Sequence, residues 1–189
     1  MIARNQLGAV VLAGGKAQRS GGVIASQTPV EGRTVIERQL TILKPKVGEV
    51  EISVSAPAPW SRVPTILDNH DDVGPLAGIE AALRYASREW ILIVGGDQAW
   101  LVPDAIDLLV ARAGDPFDAV AVRIAYATPT PLFAIYHRRC AKQAAARIAK
   151  GQHDAAGLLT DEGLTVRWVE DYELESVDPE RASLRKLER

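Results

Sequence analysis

Two stretches decide the fold: WILIVGGD at residues 90–97 and GAVVLAGG at residues 8–15. Each is a short apolar run, mostly aliphatic, that stops at paired glycines. A strand with one face in water would alternate apolar and polar side chains. A run without alternation needs cover on both faces, as in the central strands of a parallel sheet flanked by helices. Working outward, helical spacing predicts helices over residues 34–44, 75–88, 103–113 and 138–150; the first carries Ile36, Leu40 and Leu43 on one face and stops at Pro45. Residues 50–54, 63–67, 119–122, 132–136 and 164–169 read as further strands, with Val50, Ile52 and Val54 alternating with Glu51, Ser53 and Ser55. A last helix is expected over residues 179–188, with Asp178 as N-cap and Pro179 in its first turn. Strands and helices alternate through the first two-thirds of the chain. That gives an α/β fold with a mostly parallel sheet and helices on both faces. The later strands are spaced less regularly and leave room for an antiparallel one. No linker or repeat divides residues 1–189, so one domain is expected.

Composition narrows the function. Hydrophobic residues make up 47% of the chain and charged residues 24%, with a net charge of −2 at pH 7. That balance argues against a basic face for nucleic acid. Phe117 and Phe133 are the only phenylalanines, so the core is aliphatic. Cys140 is the only cysteine, which excludes an intrachain disulfide and a multi-cysteine zinc site; it reads as a small core filler. The apolar segment 9–13 is too short to span a bilayer and is not followed by a signal-peptide cleavage pattern. No membrane partner is expected, and the cytoplasm is the expected location.

Ligands of open α/β sheets bind at the carboxyl ends of the strands. Two features fall there. Gly14 and Gly15 follow the first strand; glycines let backbone N–H groups come close to an anion, and Lys16 and Arg19 add positive charge. This loop is neither G-x-G-x-x-G nor the G-x-x-x-x-G-K-[ST] loop. Asp97 follows the WILIV strand, where a carboxylate can hold Mg²⁺ together with phosphate oxygens. Gly78, inside the helix opened by GPLAG at residues 74–78, costs on the order of 1 kcal/mol against Ala. A ligand or the sheet itself must come close there.

The loop LAGGKAQRSGG at residues 12–22 resembles the L-A-G-G-x-x-x-R-x-G-G signature of the sugar-nucleotide-type nucleotidyltransferases. With Asp68 ahead of GPLAG, WILIVGGD, PLFAIY at 131–136 and SVDPE at 176–180, the chain resembles the molybdenum cofactor guanylyltransferase family in particular. The resemblance implies a Rossmann-like three-layer sandwich of the nucleoside-diphospho-sugar transferase type. It implies GTP as substrate, Mg²⁺ as cofactor, a molybdopterin-like acceptor, and molybdoenzyme maturation proteins as further partners. It puts the nucleotide against Leu12, Ala13, Gly14, Gly15 and Lys16, Arg19 near the phosphates, Ser55 and Asp68 near the base or ribose, and Gly78 close by. Asp97 would hold the metal, and Asp178 matches a polar position near it. One departure stands out: Ala25 occupies the position of a family lysine, with no gap in the flanks. Ala25 therefore supports a catalytically weak nucleotide-binding relative as an alternative reading, and Ser53 and Ser55, standing where more polar base-reading residues are expected for guanine, leave a transferase using CTP or ATP as another.

Overall fold

The computed structural model describes residues 2–14, 24–70, 73–125, 127, 129–160 and 163–187. In chain order they form β1 (Leu7–Leu12), a hairpin of β2 (Pro29–Val30) and β3 (Arg33–Thr34), α1 (Val35–Leu43), β4 (Glu49–Val54), β5 (Thr65–Leu67), α2 (Pro75–Tyr85) and β6 (Trp90–Gly95). There follow α3 (Pro103–Arg112), β7 (Ala119–Arg123), β8 (Ala134–His137), α4 (Ala141–Ala149), α5 (Gly157–Thr160), β9 (Val166–Glu170) and α6 (Asp171–Glu175). Seven strands make one sheet in the order β5-β4-β1-β6-β8-β7-β9. Only β8 runs against its neighbours. The expected α/β architecture and its antiparallel late strand are both present.

The two runs that decide the fold are buried as their composition requires. Along β1 and β6, Ala9, Val11, Leu92 and Val94 pack with Ile36 and Leu43 of α1 and Ile106 and Leu109 of α3. The intervening Val10, Ile91 and Ile93 pack on the other face with Leu76, Ile79 and Leu83 of α2 and Ala144 of α4. Helix α1 starts where the sequence gives it a cap. Thr34 Oγ1 accepts the Glu37 N–H, and the Glu37 carboxylate accepts the Thr34 N–H. The hairpin ahead of it turns on Glu31 and Gly32, both at positive φ (50° and 81°), as a two-residue hairpin turn requires. Among the described residues no helix is long and apolar enough to cross a membrane.

Several boundaries differ from expectation. Helix α2 ends at Tyr85 rather than residue 88 because Ala86 turns extended and the Ser87 N–H reaches back to Glu51 on β4. Residues 138–140 form a 3₁₀ turn before α4 begins. The helix expected over residues 179–188 is not formed: among the described residues the segment has only a 3₁₀ turn, Ala182–Leu184. Arg181 precedes that turn at φ 50°, a left-handed conformation that a helix cannot pass through, and its guanidinium is paired with Asp171. Arg181, not Asp178, is the N-cap residue of this turn, but the Asp178 oxygens accept the turn's first N–H groups, from Ala182 and Ser183, at 2.8 and 2.9 Å.

Strand β4 carries a buried carboxyl. Its polar residues Glu51 and Ser53 face the α2 side and are only 8% and 1% exposed. Loss of water pushes the Glu51 carboxyl above its ordinary value, more than the Ser87 N–H lowers it. The folded state therefore holds this proton more tightly than the unfolded chain, whose carboxyl ionises near 4.5. The stability contributed here is fullest below that pH and declines as pH rises through the folded value. Glu51→Gln should be at least as stable as the parent at neutral pH, and its urea midpoint should fall less between pH 4.5 and neutrality.

Candidate functional site

The strand register lines up the candidate residues. Leu12 pairs with Ser53 on β4 and with Gly95 on β6, and Ser53 pairs in turn with Ile66 on β5. The ladder then continues one step beyond the strands. Ala13 N–H donates to Ser53 O at 2.9 Å, Asp68 N–H to Val54 O at 2.9 Å, and Gly96 N–H to Leu12 O at 3.0 Å. Asp68, Ser55, Gly14 and Asp97 thus leave the sheet at one level, along neighbouring strand ends. Three strand spacings separate β5 from β6, about 14 Å. That row suits an extended ligand lying across the strand ends.

Close approaches explain the glycines. A Cβ on Gly14 would lie 2.9 Å from Ser55 N and 3.1 Å from Asp68 Oδ2. The loop after β1 therefore rests directly on the β4 and β5 tips. Gly78 is buried against the sheet: its added Cβ would meet Ser53 Oγ at 3.0 Å and Leu12 Cδ2 at 3.2 Å. Helix–sheet contact accounts for this glycine. Gly96 is equally constrained, since its Cβ would lie 2.7 Å from Leu12 O.

On the β5 side, Asp68 is half-buried and accepts a hydrogen bond from Ser53 Oγ. The chain after it is tied to α2 through Glu80, which is fully buried: Asn69 Nδ2 donates to Glu80 Oε2 at 3.3 Å, while Arg84 lies 2.6 Å from Oε1. On the β6 side, Asp97 is half-buried. Among the described residues no three of His, Cys, Asp and Glu converge as a metal cage. A lone carboxylate at a strand end fits Mg²⁺ in the mode where phosphate oxygens and water complete the shell. Asp178 is 2% exposed, with its oxygens on the backbone as described above. Gly15, Lys16 and Arg19 lie outside the described residues. Ala25 is half-buried and opens a 3₁₀ turn, Ala25–Gln27.

Residues 9–166 match the sequence profile of the MobA-like NTP transferase domain. The chain belongs to the MobA-like NTP transferase family. A probable molybdenum cofactor guanylyltransferase of Methanosarcina mazei is 29% identical over 184 residues, covering 91% of this chain and 81% of that protein. The molybdenum cofactor guanylyltransferase of Serratia proteamaculans is 32% identical over 158 residues, covering 78% and 79%. In structure, the molybdopterin-guanine dinucleotide biosynthesis protein A of Archaeoglobus fulgidus superposes with a TM-score of 0.77 at 25% identity, covering 95% of this chain and 91% of that one. The superposition agrees with the α/β sheet described above.

The sequence reading missed the polar residues that hold the Asp97 turn. Gln39 is fully buried, and its Nε2 donates to Gly95 O at 2.7 Å and to Gln98 O at 2.9 Å. The signal was present: Gln39 lies three residues after Ile36 and four before Leu43, on the apolar stripe of α1.

The Gly14 contact gives a prediction. Gly14→Ala has to push the loop off Ser55 N and Asp68, so nucleotide affinity measured by calorimetry should fall at least tenfold, about 1.4 kcal/mol or more. Because the Cβ meets the Ser55 backbone rather than a flexible side chain, the thermal midpoint should fall as well.

Proposed function

We propose that this chain is a guanylyltransferase of molybdenum cofactor synthesis, moving GMP from GTP to a molybdopterin-like phosphate. The observation that carries the reading is the single row of Asp68, Ser55, Gly14 and Asp97 across the carboxyl ends of β5, β4, β1 and β6. Its support is a family whose named relatives include molybdenum cofactor guanylyltransferases. The base end of GTP lies by Asp68 and Ser55, where a carboxylate and a hydroxyl can accept base N–H groups. The phosphates cross the LAGG loop, over the backbone of Leu12, Ala13, Gly14 and Gly15, with Lys16 and Arg19 as counter-charges. Asp97 holds Mg²⁺, which neutralises and orients the phosphates when bound. The acceptor's phosphate oxygen attacks the α-phosphorus, the α–β anhydride bond breaks, and pyrophosphate leaves. No protein group forms a covalent bond, so catalysis is alignment and charge neutralisation. Residues 1–189 act as one domain, since both core layers share one sheet, and the reaction belongs in the cytoplasm. Molybdoenzyme maturation proteins are the partners this reading implies.

Asp178 gains no support as a metal ligand from its surroundings. Its burial and its two backbone hydrogen bonds favour a role in holding the 3₁₀ turn. Ala25 favours a second reading, in which the chain binds nucleotide and turns it over slowly. Ser53 leaves base choice open, because its hydroxyl is used on Asp68, so CTP and ATP belong in the same test.

Calorimetry with GTP, CTP and ATP, each with Mg²⁺, should show GTP bound most tightly, and Asp97→Ala should abolish the Mg²⁺-dependent part. Equal binding of CTP would replace guanylyl transfer with the alternative. Ala25→Lys should raise turnover of GTP with molybdopterin by about 10²–10³, the usual worth of one preorganised cation. A turnover unchanged by the lysine would count against a site that lacks only that charge.

A further inference from the structure

The turn that carries Asp97 is held from outside by more polar groups than turn closure requires. Closure needs one bond, Gln98 N–H to Gly95 O at 3.1 Å. Beyond it, Gln98 Oε1 accepts the Gly95 N–H at 2.6 Å, and Gln98 Nε2 donates to Ser183 O at 3.0 Å. Ser183 Oγ accepts the Val102 N–H at 2.9 Å, just past the turn, and Leu187 N–H donates to Asp97 O at 2.7 Å. Asp178 shapes this strap by accepting two of its N–H groups. From α1, Gln39 reaches Gly95 and Gln98 as described, and Arg38 Nε donates to Ala99 O at 3.2 Å. Gln39, Gln98, Asp178 and Ser183 are all 2% exposed or less.

Burying four polar side chains beside an aliphatic core is costly unless each is paired, and pairing only returns that cost. What the network adds is direction. A Cβ on Gly95 would lie 2.8 Å from Asp97 Oδ1 and 3.2 Å from Gln98 Oε1. The carboxylate therefore lies folded over the Gly95 α-carbon, beside the Gln98 amide that fixes the Gly95 N–H.

We infer that Gln98, together with the strap of residues 178–187, is a positioning device that aims the Asp97 carboxylate at a phosphate-bound divalent cation, making the strap part of the nucleotide site. The inference rests on the reading that Asp97 holds Mg²⁺. Groups behind a ligating carboxylate set its orientation, and their loss typically lowers metal affinity about 10–100-fold.

The test is calorimetric titration of GTP into the full chain, with Mg²⁺ and with EDTA, for the parent, Asp97→Ala, Gln98→Met and Ser183→Ala. Gln98→Met keeps the side chain's length and removes both of its polar atoms. The Mg²⁺-dependent part of the affinity should fall about 10–100-fold in Gln98→Met, while the affinity in EDTA stays that of the parent. Ser183→Ala strands only the Val102 N–H, so it should shift the same quantity less; it carries the comparison if Gln98→Met does not fold. A merely structural Gln98 would lower both affinities together or neither. Either of those results, with Asp97→Ala still losing its Mg²⁺ dependence, overturns the positioning role and leaves the Asp97 reading standing. An Asp97→Ala chain that binds Mg²⁺ and GTP like the parent, or a parent with no Mg²⁺-dependent binding, overturns both.

Discussion

Everything at the site depends on three backbone hydrogen bonds that carry the sheet ladder one step past its strands: Ala13 to Ser53, Asp68 to Val54, and Gly96 to Leu12. They make adjacent strands release their chains at the same height. Each loop then starts as a neighbour of the next, and short side chains are brought level without long excursions. The cost is paid in residue choice. Where backbones meet at 2.7–2.9 Å from a would-be Cβ, as at Gly14 and Gly96, only glycine fits. Gly14 and Gly96, which look like flexible punctuation in the sequence, are contact points between neighbouring strand ends.

Helix α1 links the scaffold to the chemistry. Its capped start fixes its rotation, one stripe fills the core with Ile36 and Leu43, and the same stripe delivers Gln39 to the turn after β6. Helix α2 does the equivalent on the other face, where Glu80 ties down the chain just beyond Asp68. Each end of the strand-end row is thus supported by a helix from a different core layer. The charge environment follows the same plan. Burial pushes Cys140 up to about 12 and raises Tyr136 as well, so both stay protonated in the core, away from the row.

The sheet was legible because apolar runs with no alternation have one reading. β1 and β6 fall within a residue of their expected ends, and the capped helix α1 does too. The candidate residues Leu12, Gly14, Ser55, Asp68 and Asp97 do come together at the strand ends. Legibility failed where a segment's shape is decided by distant partners. Residues 179–188 have a cap and a proline that suit a helix, yet the Ser183 C=O, the Ser183 hydroxyl and the Leu187 N–H are spent on Gln98, Val102 and Asp97, 81 to 90 positions away. Glu51 and Ser53 alternate as if one face were in water, and only the packing of α2 shows that both faces are covered.

The strap also sets an order of events during synthesis. Ser183 lies 85 positions after the Gln98 it holds. At ribosomal rates of roughly 5–20 residues per second, the Asp97 turn waits about 4–17 s for the residue that completes it. The sheet tips β1, β4, β5 and β6 can assemble within that interval, because their pairing needs nothing beyond Gly96. A growing chain can therefore align its strand ends early and gains the last restraint on Asp97 late.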